Sequence, residues 1–204
     1  MKYMHRLMVT SDAYRMKSDI PPAFAASQKI DPNNIFLWHF RLQRLGAEPI
    51  WDTIHLAAGS LDLKIGGRSF TPDSDDSSQR RGVYITRGFA TNRDVTPQFL
   101  QTFDVDDGRV PCPIRTQTVT APQSLFLMNS PEVESASARL ASRVRKETAN
   151  DLKQAIELTY RLTVARPPST TEQNLAFDYL EGDAERLNHL AWLIFNIDEF
   201  IYVR

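Results

Sequence analysis

A chain of 204 residues with 42% hydrophobic and 24% charged residues has an ordinary globular composition, long enough to bury a sizeable core without disulfide or metal staples. Its 24 Lys and Arg against 25 Asp and Glu leave a net charge of −1, which argues against nucleic acid or an anionic membrane as the main partner. The one cysteine, Cys112, excludes an intramolecular disulfide and any multi-cysteine zinc or iron–sulfur site, and between Pro111 and Pro113 it reads as a small apolar filler.

Met1 to Thr10 lacks the apolar run of a signal peptide, and no stretch has the length of a membrane span. The chain therefore reads as soluble and as staying where it is made. Tyr3/Leu7 and Met4/Met8, at i,i+4 spacing, predict a helix from Lys2 to about Lys17. It starts without a cap, which suggests that the chain begins inside a larger unit. Ser18 to Gln28 holds Pro21-Pro22 and reads as a loop. Asp31-Pro32 predicts a helix start, followed by an apolar face of Ile35, Phe36, Trp38, His39, Leu42 and Leu45. Gly46 and Pro49 predict a break, and a second helix then runs to about Ala58, burying Ile50, Trp51, Ile54 and Ala58 and stopping at Gly59.

Gly66-Gly67 and Asp73 to Ser78 read as polar surface loop. Val83-Tyr84-Ile85-Thr86 is the best strand candidate, with no identifiable partner. Pro97 to Phe103 reads as a short helix and Asp104 to Arg115 as a loop. From Thr120 the pattern is helical. Ser130-Pro131-Glu132 is a helix start, with Val133, Ala136, Leu140, Ala141 and Val144 on its apolar face. Leu152, Ala155, Ile156, Thr159 and Thr163 predict the next helix, ended by Arg166-Pro167-Pro168. Ser169-Thr170-Thr171-Glu172 fits a capping box, and a last helix over about Asp183 to Ile197 buries Leu187, Leu190, Ala191, Ile194 and Ile197. The expected fold is mainly α-helical, with a small β element near residues 81–88 and a C-terminal helical bundle. It reads as one domain over 1–204, with an irregular helical and β part at 1–118 and the bundle at 119–204.

Several ordered stretches together resemble one family. They include His5-Arg6-Leu7-Met8-Val9-Thr10-Ser11, Trp38 with Arg41-Leu42 and Arg44-Leu45, and Arg80-Arg81 with Val83-Tyr84. Thr120-Ala121-Pro122-Gln123-Ser124-Leu125 then runs into Met128-Asn129-Ser130-Pro131, Tyr160-Arg161-Leu162 leads to Arg166-Pro167-Pro168, and Glu199-Phe200-Ile201-Tyr202-Val203 closes the chain. In order and spacing they resemble the planctomycete PSD family, a domain of unknown function (DUF1553). The chain corresponds to the later part of that domain, truncated at its N-terminal side. The resemblance implies an association with c-type cytochrome regions in large exported proteins, hence a periplasmic or cell-surface setting for longer relatives and a cytochrome c-bearing protein or domain as partner. It supplies no catalytic residues. No Cys-x-x-Cys-His is present, so this chain attaches no c-type haem itself.

Arg44, Glu48, Asp52 and His55 carry the most suggestive spacing. On one helix, 44, 48 and 52 form an i,i+4 stripe with 55 beside 52. Glu48, Asp52 and His55 are then the weak candidates for a divalent metal or an acid/base pair. The plainer reading is a charged helix face, and Pro49 sits inside the stripe. Arg80, Arg81 and Arg87, with Arg93, Arg109, Arg115, Tyr84 and Phe89, are candidates for a polyanion site, against which ion pairing within the fold is the better reading. Asp104 to Gly108 fails the EF-hand pattern, because Arg109 and Arg115 fall where Gly and Glu are needed. His5, His39, His55 and His189 form no metal motif in sequence. Three functional readings result: a non-catalytic accessory or interaction module, a metal-assisted hydrolase acting on polysaccharide, and a fragment without independent role. An exposed apolar face around Tyr3, Leu7 and Met8 is expected for the last.

Overall fold

The computed structural model describes the chain except for residues 73–78, 91, 92, 95, 109, 182, 184, 185 and 204. The acidic cluster at Asp73 to Asp76 thus lies outside the described residues. The chain divides into two units, Met1–Arg44 with Tyr202–Arg204, and Leu45–Ile201. Apart from the 12-residue helix Ala47–Ala58, the long helices follow residue 120.

The first unit opens with α1 (Lys2–Val9), shorter than the pattern predicts. The Thr10 and Ser11 hydroxyls bond the carbonyls of Arg6 and Met8 at 2.7 Å and turn the chain. A 3₁₀ turn at Pro22–Phe24 leads into α2 (Ala25–Ile30), in the segment expected as loop. The helix expected from Asp31 does not form. The Asp31 carboxylate accepts from the N–H groups of Ile35 and Phe36 at 2.9 and 2.8 Å, and Asn34 Oδ1 accepts from Trp38 N–H at 2.9 Å. Asn34 and Leu37 adopt left-handed φ values of 53° and 51°. These local bonds hold a loop that competes with the helix, and they lower the Asp31 pKa, chiefly through the Phe36 N–H. The unit continues to β1 (Gln43–Arg44).

In the second unit, α3 (Ala47–Ala58) starts after Gly46 and ends at Gly59, whose φ is 72°. Pro49 falls in its first turn, where its missing N–H costs no helical bond. The β element is small. Phe70 bridges Ile85, Asp62 bridges Arg80, and β2 (Phe89–Ala90) pairs antiparallel with β3 (Arg93–Asp94). The predicted strand at Val83–Thr86 contributes only the bridge at Ile85, because Gly82–Tyr84 winds into a 3₁₀ turn; its partner is Phe70.

After α4 (Gln98–Thr102) and a loop, α5 (Ala121–Asn129) is closed by a Thr120/Gln123 capping box. Then follow α6 (Pro131–Glu147), α7 (Leu152–Val164), α8 (Thr170–Leu180), α9 (Leu187–Phe195) and α10 (Asp198–Ile201). The Ser169/Glu172 capping box forms as the sequence predicts. Helix α6 packs mainly against α3 and α9, with Val133, Ala136, Leu140, Ala141 and Val144 buried. Its Arg143 donates to the Leu56 and Ala57 carbonyls, satisfying acceptors at the end of α3. Arg166 binds both oxygens of Glu172 and of Glu199, joining the end of α7 to α8 and α10. That guanidinium and the Ser169 N–H hold the Glu172 carboxyl down at about 2. In the first unit, β4 (Tyr202–Val203) pairs antiparallel with β1, Arg44 opposite Tyr202.

Candidate functional site

The period of α3 places Trp51, Ile54 and His55 on its buried face, with Trp51 and His55 one turn apart. Their rings pack with centroids 4.2 Å apart and planes tilted by 51°. Around them is a cavity of about 640 Å³, walled by Trp51, Ile54, Phe99, Leu125, Phe126 and Val133. That size falls in the usual range for small-molecule sites. Phe99 lies 5.7 Å from Trp51 and 5.9 Å from Phe126, so the wall is a run of aromatic faces and edges.

Two of the described lining residues are ionisable: His55 and Glu132, the latter in the first turn of α6. His55 is completely buried. Burial, and secondarily the nearby Arg139 charge, lower its pKa to about 4, so its imidazole is neutral at physiological pH. Its Nδ1 lies 3.2 Å from Ser60 Oγ. Its Nε2 is buried without a hydrogen-bond partner, the nearest carboxylate oxygen being Glu132 Oε1 at 3.5 Å. A neutral imidazole at that distance and alignment makes no ion pair with Glu132. Glu132 is neutralised instead by Arg139 at 3.0 Å. The Gln79 amide closes the arrangement when its nitrogen faces Ser60 at 2.9 Å and its oxygen faces Arg139 at 3.1 Å. The Glu132 carboxylate near Nε2 favours the tautomer with the proton on that nitrogen, and Ser60 Oγ, which also lies 3.4 Å from the His55 carbonyl, then faces Nδ1 as its donor. An imidazole tuned this low is a weak general base, so Ser60, His55 and Glu132 make a poor nucleophile-activating set.

The other sequence candidates are turned to the protein itself. Glu48 and Asp52 are on α3 with His55, while Arg44 is in β1. Glu48 receives two bonds from Arg115, at 2.8 and 2.9 Å. Asp52 accepts from Gly82 N–H at 2.6 Å and from Arg81 Nε at 2.9 Å. Neither lines the cavity at His55. Among the described residues, no group of three or more His, Cys, Asp and Glu side chains is placed to hold a metal. Arg80 lies over the Tyr84 ring at 4.1 Å and donates to the Gly66 and Arg68 carbonyls. Arg87 faces Asp106 at 3.6 Å. Arg109 and the side chains of Arg93 and Phe89 lie outside the described residues. In the loop after α4, Asp104 binds the Thr118 N–H and hydroxyl, and Asp106 binds the Gly108 N–H. Cys112 is exposed, with its thiol on the Ile114 carbonyl at 3.3 Å. The apolar-filler reading of Cys112 is thereby corrected: the described residues of this loop from Val110 to Thr120 are exposed, so the thiol fills no core.

The Asp52 contact explains why the 3₁₀ turn sits where it does. A Cβ on Gly82 would meet the Glu48 Cα and carbonyl oxygen at 2.8 Å, so only glycine brings this turn against α3. Gly82→Ala should cost about 1–3 kcal/mol, read as a lower midpoint in urea unfolding, because backbone and not a movable side chain is in the way.

Glu132 carries no local sign of its place beside His55: it is separated from it by a long stretch of chain and reads as a helix-start acid. The sequence pattern puts Trp51 on the buried side of the helix and His55 on the charged stripe beside Asp52; the i,i+4 spacing of Trp51 and His55 is the signal that could have joined them. A family model described as PSD1, protein of unknown function (DUF1553), matches residues 1–180. No curated protein and no solved structure matches the chain.

Proposed function

The chain belongs to this PSD1 family, and from that premise we propose that it is a non-catalytic interaction module whose partner is a cytochrome c-bearing protein or domain. The observation that carries the interaction reading is the first unit's lack of an apolar core. In residues 1–44 the buried residues are Asp31, Asn34 and Arg44, all polar or charged. Tyr3, Met4, Leu7 and Met8 of α1 are 75%, 52%, 53% and 52% exposed. A clustered apolar face of this kind, which the fragment reading also expects, is stabilised when a partner covers it. The choice of partner, and a periplasmic or cell-surface setting, rest on the cytochrome association that the family resemblance implies. No described helix is long and apolar enough to cross a membrane. Metal-assisted hydrolysis of polysaccharide through Glu48, Asp52 and His55 has no comparable support, since each has a separate partner or lies in a separate place.

The test is co-sedimentation of the full chain with a c-type cytochrome domain from a protein of the same family, followed at the haem absorbance. A stoichiometric complex is expected at micromolar concentration. A Leu7→Asp, Met8→Asp variant should lose it while the second unit melts unchanged. Independent sedimentation of the two proteins would refute the partner assignment.

A further inference from the structure

We infer that the cavity between α3, α4, α5 and the start of α6 binds a small neutral aromatic molecule carrying a hydroxyl group, a phenol in the simplest case. Three features set that chemistry. The wall formed by Trp51, Phe99 and Phe126 favours a flat apolar body, which gains both burial and ring–ring contacts. Among the described residues the cavity offers no uncompensated charge to an ionic ligand: His55 is neutral and Glu132 is compensated by Arg139. A carboxylate or ammonium group would meet no free counter-charge among the described lining residues.

The third feature is the pair at one end of the cavity. His55 is fully buried, lines the cavity, and leaves Nε2 without a partner. A buried donor left open costs free energy, which a ligand acceptor would recover. Glu132 Oε1, 3.5 Å away, is an acceptor. One hydroxyl within reach of both atoms accepts from Nε2–H and donates to the carboxylate. A phenol makes both bonds; a hydrocarbon makes neither, and a carboxylate meets Glu132 with like charge. The N-cap of α6 adds to the polarity of this end, since Ser130 makes no side-chain bond to the first turn.

This site is independent of the interaction surface proposed for residues 1–44. Isothermal calorimetry on the full chain, titrated with 4-ethylphenol, ethylbenzene and 4-ethylbenzoate, tests it. Saturable one-to-one binding of 4-ethylphenol is expected, with ethylbenzene and 4-ethylbenzoate each weaker by roughly tenfold or more, the cost of about one buried hydrogen bond. Leu125, 55% exposed on the cavity wall, is the site for a blocking variant that leaves the core intact. Leu125→Trp should abolish 4-ethylphenol binding at an unchanged melting temperature. Equal affinity for ethylbenzene, tighter binding of 4-ethylbenzoate, absence of saturable binding, or unaltered 4-ethylphenol binding by Leu125→Trp would each overturn the inference.

Discussion

Lowering the pH from 6.5 to 4 should remove about 2–4 kcal/mol of stability from the chain, and His55 should be the group responsible. In the fold its imidazole is neutral, with a pKa lowered from 6.5 to about 4 by burial first and by Arg139 second. The unfolded chain takes up a proton near 6.5, before the folded one does. The advantage of the neutral, buried form is therefore complete above pH 6.5. It is lost progressively as the pH falls to about 4, at up to about 1.4 kcal/mol per pH unit. Glu172, lowered from 4.5 to about 2 by Arg166, behaves alike but in a separate window: its contribution is present above pH 4.5 and lost as the pH falls through about 2. Urea unfolding at pH 7, 6, 5 and 4 measures the slope. In His55→Gln the stability should be nearly independent of pH between 6.5 and 4.5. An unchanged slope in that variant would assign the proton uptake to another group.

Leu140→Ala should lower stability by about 2–5 kcal/mol, the cost of a cavity in a well-packed core. Leu140 has no exposed surface, and its helix, α6, packs against both α3 and α9. The surrounding helices cannot collapse onto the gap without moving several contacts together, which places the cost toward the upper end. For a body of this size the melting temperature should fall by roughly 5–20 °C. Leu175→Ala, at a 65% exposed position on α8, is the matched control and should change stability little. Comparable losses from the two variants would mean that α6 is not the centre of the core.

The helices were legible where side chains both cap an end and repeat along one face. Ser130-Pro131 before Val133, Ala136, Leu140, Ala141 and Val144 states the start and the buried side of α6, and Ser169 with Glu172 states the start of α8. The segment after Asp31 misled for a physical reason: the same carboxylate that can cap a helix here bonds Ile35 and Phe36 and closes a loop. Propensity offers both outcomes, and Asn34 and Leu37 in left-handed conformations settle it. At the site, the sequence pattern marks Trp51 as buried but groups His55 with Glu48 and Asp52, although the Trp51 and His55 rings face each other in the core. Their relation to Glu132, Ser60 and Gln79 arises from packing between elements distant in sequence, and no local pattern encodes it.

The way the second unit begins and ends has a practical consequence. Leu45 N–H bonds the Ile201 carbonyl at 2.7 Å, so this body of residues is entered and left at one point. Its two ends can be joined by a short linker and new ends opened in an exposed loop, such as that holding Val110 and Ile114, with little disturbance of the packed helices. A circular permutant, or a graft of residues 45–201 into a host loop, is then feasible. A cut near residue 180 is not, because it removes Leu187, Leu190, Ala191, Ile194 and Phe195 from the core that α6 completes.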